Sequence, residues 1–238
     1  MAGETIPPYF EIARLTFPSD EETVKACVRY RNTPAPDISL AWLRHAAYQV
    51  LSGVLTIEAL DRTIEMKLPP KARPSVRRAV LELVKFAVGK AWIGERLPEY
   101  KLEVGRGFMM PVSAVGRFHS REGRWVVGLQ PRLDGAPDVV WQMQTWLAFI
   151  NEAYCTDPLA KASPLILDVS KDKKTGLRGF HVLDPDAIGL ISREELNKRM
   201  NRFIDCYLKA IEIVPVRPRR DRRRPSDDQD QPRFPGFL

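Results

Sequence analysis

Long uncharged apolar stretches are missing from this 238-residue chain: none reaches the roughly 18 residues that a membrane-spanning helix needs, so no membrane partner is expected. The start, Met1-Ala2-Gly3-Glu4-Thr5, has neither a basic stretch nor an apolar run, so no signal peptide is expected. Cysteine is scarce. Cys27, Cys155 and Cys206 are odd in number and far apart, which suits reduced thiols in a cytoplasmic protein better than a disulfide framework or a zinc site. The three histidines, His45, His119 and His181, are equally dispersed and show no metal-ligand spacing. There is no Walker lysine loop, Gly105-Arg106-Gly107 lacks the strand–helix context of a dinucleotide site, and no Gly-x-Ser-x-Gly elbow occurs.

What is present suffices for a folded core: 44% of residues are hydrophobic, 28% are charged, and five are tryptophan. The net charge is +7. Seven arginines and four aspartates give residues 217–238 a net of +3, leaving +4 on the other 216. The body is therefore only mildly basic, a surface that permits nucleic-acid binding without demanding it.

Three regions are expected: a helical N-terminal lobe over 1–73, an α/β core over 74–216, and a basic disordered tail over 217–238. In the first, Ser19 stands three residues before Glu22 in capping-box spacing, and Ser39 to Ser52 repeats apolar residues at helical intervals. Lys67 to Arg73 reads as an exposed basic loop. Pro74 opens a third helix that runs towards Trp92. Period-two patterns follow: a strand at Lys101 to Val104, then Pro111 to His119 and Arg124 to Leu129 as a hairpin about Ser120-Arg121-Glu122-Gly123. A helix over about Asp138 to Cys155, a buried strand over Pro164 to Val169, a returning strand over Arg178 to Leu183 and a helix capped by Ser192 complete the core.

This order, with particular residues inside it, resembles the RecB-like branch of the PD-(D/E)XK nuclease superfamily. The pieces that carry the resemblance are Val115-Gly116-Arg117-Phe118-His119, a turn with Gly123, Trp125 to Arg132, Gln142-Met143-Gln144-Thr145-Trp146, and Ser170-Lys171-Asp172-Lys173. It spans roughly residues 75–213, while the first 70 match only as helices. The resemblance implies a PD-(D/E)XK-like core, a mixed sheet with flanking helices. In that family two carboxylates on the hairpin hold Mg²⁺ or Mn²⁺, and the metal generates the attacking hydroxide. A lysine two residues on stabilises the phosphate in the transition state.

Here the corresponding positions are His119, Gly128 and Gln130, with Gln130-Pro131-Arg132 as the alternative register. Neither register restores two carboxylates, so the implied active site is degenerate and no cofactor is expected. A migrated site could draw on Glu103, Glu152, Asp168 and Lys171, each of which reads equally as an ordinary surface charge or strand-end hydrogen bonder.

Gln142 and Trp146 are retained in kind. In active relatives the glutamine orients the site, although an exposed helix residue and a core tryptophan are the plainer readings. Arg117, Arg121, Arg124, Arg132, Lys171, Lys173 and Lys174 fall on or beside the hairpin and strand turns, where they either grip phosphates or form a solvated rim. In the tail, Arg219, Arg220, Arg222, Arg223 and Arg224 suit any polyanion, nucleic acid or acidic protein, in a salt-dependent way. Phe234 to Leu238 reads either as a docking peptide for a protein partner or as an end of no consequence.

Three functions follow as expectations. The first is a non-catalytic RecB-like subunit that binds nucleic acid or scaffolds partners in a recombination, phage, CRISPR or mobile-element assembly. The second is an active metal-dependent DNA nuclease with relocated ligands. The third is an adaptor acting through its arginine tail and apolar C-terminus.

Overall fold

Apolar residues alternate along the central strands so that both faces of one sheet are buried, and helices must cover both. The computed structural model describes residues 7–33, 40–70, 73–130, 139–156, 161–170 and 180–215. Its helices are α1 (Tyr9–Leu15), α2 (Asp20–Asn32), α3 (Leu40–Leu51), α4 (Ile57–Lys67), α5 (Arg73–Ala87), α6 (Val140–Tyr154), α7 (Pro185–Ile188) and α8 (Arg193–Ile213). Its strands are β1 (Ile93–Glu95), β2 (Tyr100–Val104), β3 (Phe108–Val112), β4 (Gly116–Ser120), β5 (Gly123–Gln130), β6 (Ser163–Asp168) and β7 (His181–Leu183). No described helix is long and apolar enough to cross a membrane.

The main sheet is mixed, in the order β1-β4-β5-β6-β7. β4 runs antiparallel to both β1 and β5, β6 runs parallel to β5, and β7 turns back antiparallel on β6. A parallel pair needs a crossover, and α6 supplies it. Val126 and Ile166 face α6, α8, α1 and the separate β2–β3 hairpin. Val127, Leu129, Leu165 and Leu167 face α3, α4 and α5 on the other side. The helices of residues 1–73 are thus shared between the two faces: α1 lies on α6 and α2 on α8, while α3 and α4 lie on α5.

Local chemistry sets several boundaries. Ser19 accepts a hydrogen bond from the Glu22 amide and Ser192 one from the Glu195 amide, so both expected caps form. The expected strand from Pro111 to His119 divides in two: Pro111 and Val112 finish β3, paired with Tyr100 and Lys101, and β4 starts at Gly116. The helix expected to run towards Trp92 stops at Ala87, because Gly89 takes up a left-handed conformation (φ 78°) that ends the turn. Trp92 then leads into β1, stacked on Trp125 at 5.3 Å.

Candidate functional site

β5 and β6 finish side by side, with Gln130 opposite Asp168. Period-two alternation puts both on the α6 face, and each is buried, Gln130 at 0% and Asp168 at 1% exposure. Gln142, in the first turn of α6, is also buried. Its Nε2 donates to the Arg14 carbonyl of α1 at 2.6 Å. Glu11 of α1, also buried, pairs with Arg14 at 3.6 Å. The Ser170 amide donates to Asp168 Oδ1 at 2.9 Å, whereas Oδ2 has no hydrogen-bond partner among the described residues. Burial raises the Asp168 carboxyl above the ordinary range; the Ser170 hydrogen bonds and the nearby Arg14 guanidinium offset only part of that rise.

These residues form a buried polar knot. It holds an amide and one carboxylate at the strand ends and a second carboxylate paired with a guanidinium. The donor set does not suit a hard dication, since Arg14 adds positive charge where Mg²⁺ or Mn²⁺ would need additional oxyanions. Among the described residues no group of three or more His, Cys, Asp or Glu is arranged to hold a metal.

The other expected site residues are dispersed. His119 sits at the turn end of the hairpin, exposed, opposite Ile93 and Arg124. Gln130 is six residues beyond Arg124, about 20 Å along the strand at roughly 3.3 Å per residue. Gly128 lies under the core, and a Cβ there would meet Ile166 at 3.4 Å and Ile150 at 3.6 Å. His119, Gly128 and Gln130 therefore do not form one centre. Glu103 and Glu152 share Arg193, which donates to the Glu103 backbone carbonyl and pairs with the Glu152 carboxylate at 3.6 Å. Glu152 is ten residues along α6 from Gln142, about 15 Å of helix axis, so these two glutamates stand apart from Asp168.

Arg117 is spent on Glu95 at 3.2 Å, and Arg121 and Arg124 are exposed at the hairpin turn. Trp146 is fully buried and belongs to the core. Arg132, Lys171, Lys173, Lys174, Arg219, Arg220, Arg222, Arg223, Arg224 and Phe234 to Leu238 lie outside the described residues. Burial pushes the Cys27 and Cys155 thiols up to about 12, so neither is a ready thiolate nucleophile. Sequence reasoning missed Glu11 and Arg14 because α1 is only seven residues long and its polar residues are placed by packing on α6, which no local pattern encodes.

No protein family matches the chain, and no curated protein matches it. Among solved structures, one described as "Crystal structure of SSO0001" is 9% identical, covering 76% of this chain and 83% of that one, at a TM-score of 0.34.

Proposed function

We propose that this chain is a non-catalytic module built on a PD-(D/E)XK-like core, which binds nucleic acid or holds partners in a recombination, phage, CRISPR or mobile-element assembly. The observation that carries this reading is the pairing of Gln130 with Asp168 at the ends of β5 and β6, both buried. Where the resemblance calls for two solvent-reaching carboxylates and a lysine, the residues are an amide, a glycine in the core and an exposed histidine at the far end of the hairpin. The sheet order supports the core itself: three antiparallel strands, a helix, then a strand parallel to the last of the three. Relocation of the ligands is disfavoured by the distance between Asp168 and the Glu103–Glu152 pair.

Nucleic acid as partner is supported by the net charge of +7 and by six arginines within residues 217–224. Fluorescence anisotropy with labelled single- and double-stranded oligonucleotides, read across a salt series, tests it. Binding should weaken steeply with salt. Deleting 217–238 should flatten the slope of log K against log salt but leave residual binding on the core. Absence of binding at low salt contradicts the reading, and loss of all binding with the tail favours the adaptor instead.

A further inference from the structure

On the opposite face of the sheet from the polar knot, α3 is held unusually close to β1 and β4. A Cβ on Gly94 would come within 2.5 Å of Ser52 Oγ, and one on Gly116 within 2.9 Å of Tyr48 Cδ2. These two glycines let the Tyr48 ring settle on the sheet, where its hydroxyl donates to the Gly94 carbonyl at 2.9 Å. Beside it opens a cavity of about 260 Å³, lined by Arg44, His45, Tyr48, Arg96, Leu97, Ala114 and Val115. At roughly 30 Å³ per water, that is space for about nine waters.

The polar lining is cationic and already oriented. Arg96 lies over the Tyr48 ring, its guanidinium carbon 4.9 Å from the centroid. Its Nη2 is 3.1 Å from His45 Nδ1. A guanidinium only donates, so Nδ1 is the acceptor and the ring proton of His45 belongs on Nε2. His45 is thereby fixed in the neutral form with a donor to offer. Arg96 has four further N–H groups. Among the described residues neither Arg44 nor Arg96 is ion-paired, and Arg44 makes no hydrogen bond. Of the neighbouring acids, Glu95 pairs with Arg117 at 3.2 Å, while Glu99 accepts from the Ser113 hydroxyl at 3.1 Å and forms no ion pair among the described residues. Two arginines that form no ion pair among the described residues line one cavity beside a neutral histidine, which leaves guanidinium charge for an entering anion to meet.

We infer that this cavity is a binding site for a phosphoryl group, gripped by Arg44, Arg96 and His45 Nε2–H over the apolar floor of Leu97, Ala114 and Val115. Two guanidinium groups and an imidazole N–H among the lining residues supply donors for the several oxygens of a tetrahedral oxyanion, against the two oxygens of a carboxylate. The phosphoryl group is either free, as phosphate or a nucleotide, or borne by a nucleic-acid strand. The site stands whether or not the chain also binds polymers elsewhere.

The test is titration of the full chain with inorganic phosphate, then with acetate at equal ionic strength, reading the His45 imidazole nitrogens by NMR. Phosphate should shift His45 saturably and acetate should not. Arg96→Gln and, separately, Arg44→Gln should each weaken the phosphate response at least tenfold, with circular dichroism confirming the fold. Arg96 is exposed, so its variant stays informative if Arg44→Gln misfolds. A 5′-phosphorylated oligonucleotide that shifts His45 while its 5′-hydroxyl counterpart does not identifies a strand end as the source; an equal response to both identifies backbone phosphate; no response to either leaves small phosphates. Absence of a phosphate response, an equal response to acetate, or a response untouched in Arg96→Gln overturns the site.

Discussion

Asp168 is a carboxylate that the fold encloses and only half satisfies. Because burial raises its pKa above the ordinary 3.8, the native state holds the proton more tightly than the unfolded chain. Its contribution to stability is greatest below that ordinary value and is lost as pH rises through the raised folded value. Asp168→Asn keeps the oxygen that receives the Ser170 amide and removes the buried charge. Urea unfolding should show the variant more stable than wild type by about 1 kcal/mol at pH 7, with the gain shrinking as pH approaches 4. A constant difference, or a loss at pH 7, contradicts this account of the residue. Gly128 provides the converse case. Gly128→Asp would place a carboxylate against Ile150 and Ile166. It should cost about 3 kcal/mol or more in chemical denaturation and should not create metal-dependent cleavage.

Elements whose signals are local were legible in the sequence. Ser19 and Ser192 announce the starts of α2 and α8, and Ser192→Ala should lower unfolding free energy by about 1 kcal/mol through loss of the bond from the Glu195 amide. The Gly123 turn, α6 and the buried β6 were equally readable, because each has a clear period or a strong breaker. α1, α4 and β1 were not, since short segments take their conformation from what they pack on. The boundary between β3 and β4 was hidden because Pro111 to His119 reads as one β-rich run, although its halves pair with different strands. The position of His119 was nonetheless available: a turn at Ser120 to Gly123 obliges His119 to face Arg124, so it cannot sit beside Gln130. What no one-dimensional pattern carries is the pairing of Gln130 with Asp168 and of Gln142 with the Arg14 carbonyl, which draws on four elements. The α6 end of that assembly depends on Trp146, buried completely against the sheet. Trp146→Ala should cost about 3–5 kcal/mol, measured by thermal or urea unfolding.

At the scale of the molecule, two helical layers close over one mixed sheet and use its two faces differently. One face holds a buried polar knot at the ends of β5 and β6. Beside β1 lies the cavity lined by Arg44 and Arg96. On the proposed reading this protein recognises phosphate without breaking a phosphodiester, because the cavity arginines and the buried carboxylate at the strand ends lie in different places. The measurement that tests this most directly is incubation of the purified chain with labelled single- and double-stranded DNA in Mg²⁺ or Mn²⁺, with EDTA controls and Asp168→Asn alongside. The account predicts no metal-dependent cleavage by either protein. Cleavage that requires the metal, survives rigorous purification and disappears in Asp168→Asn would contradict it.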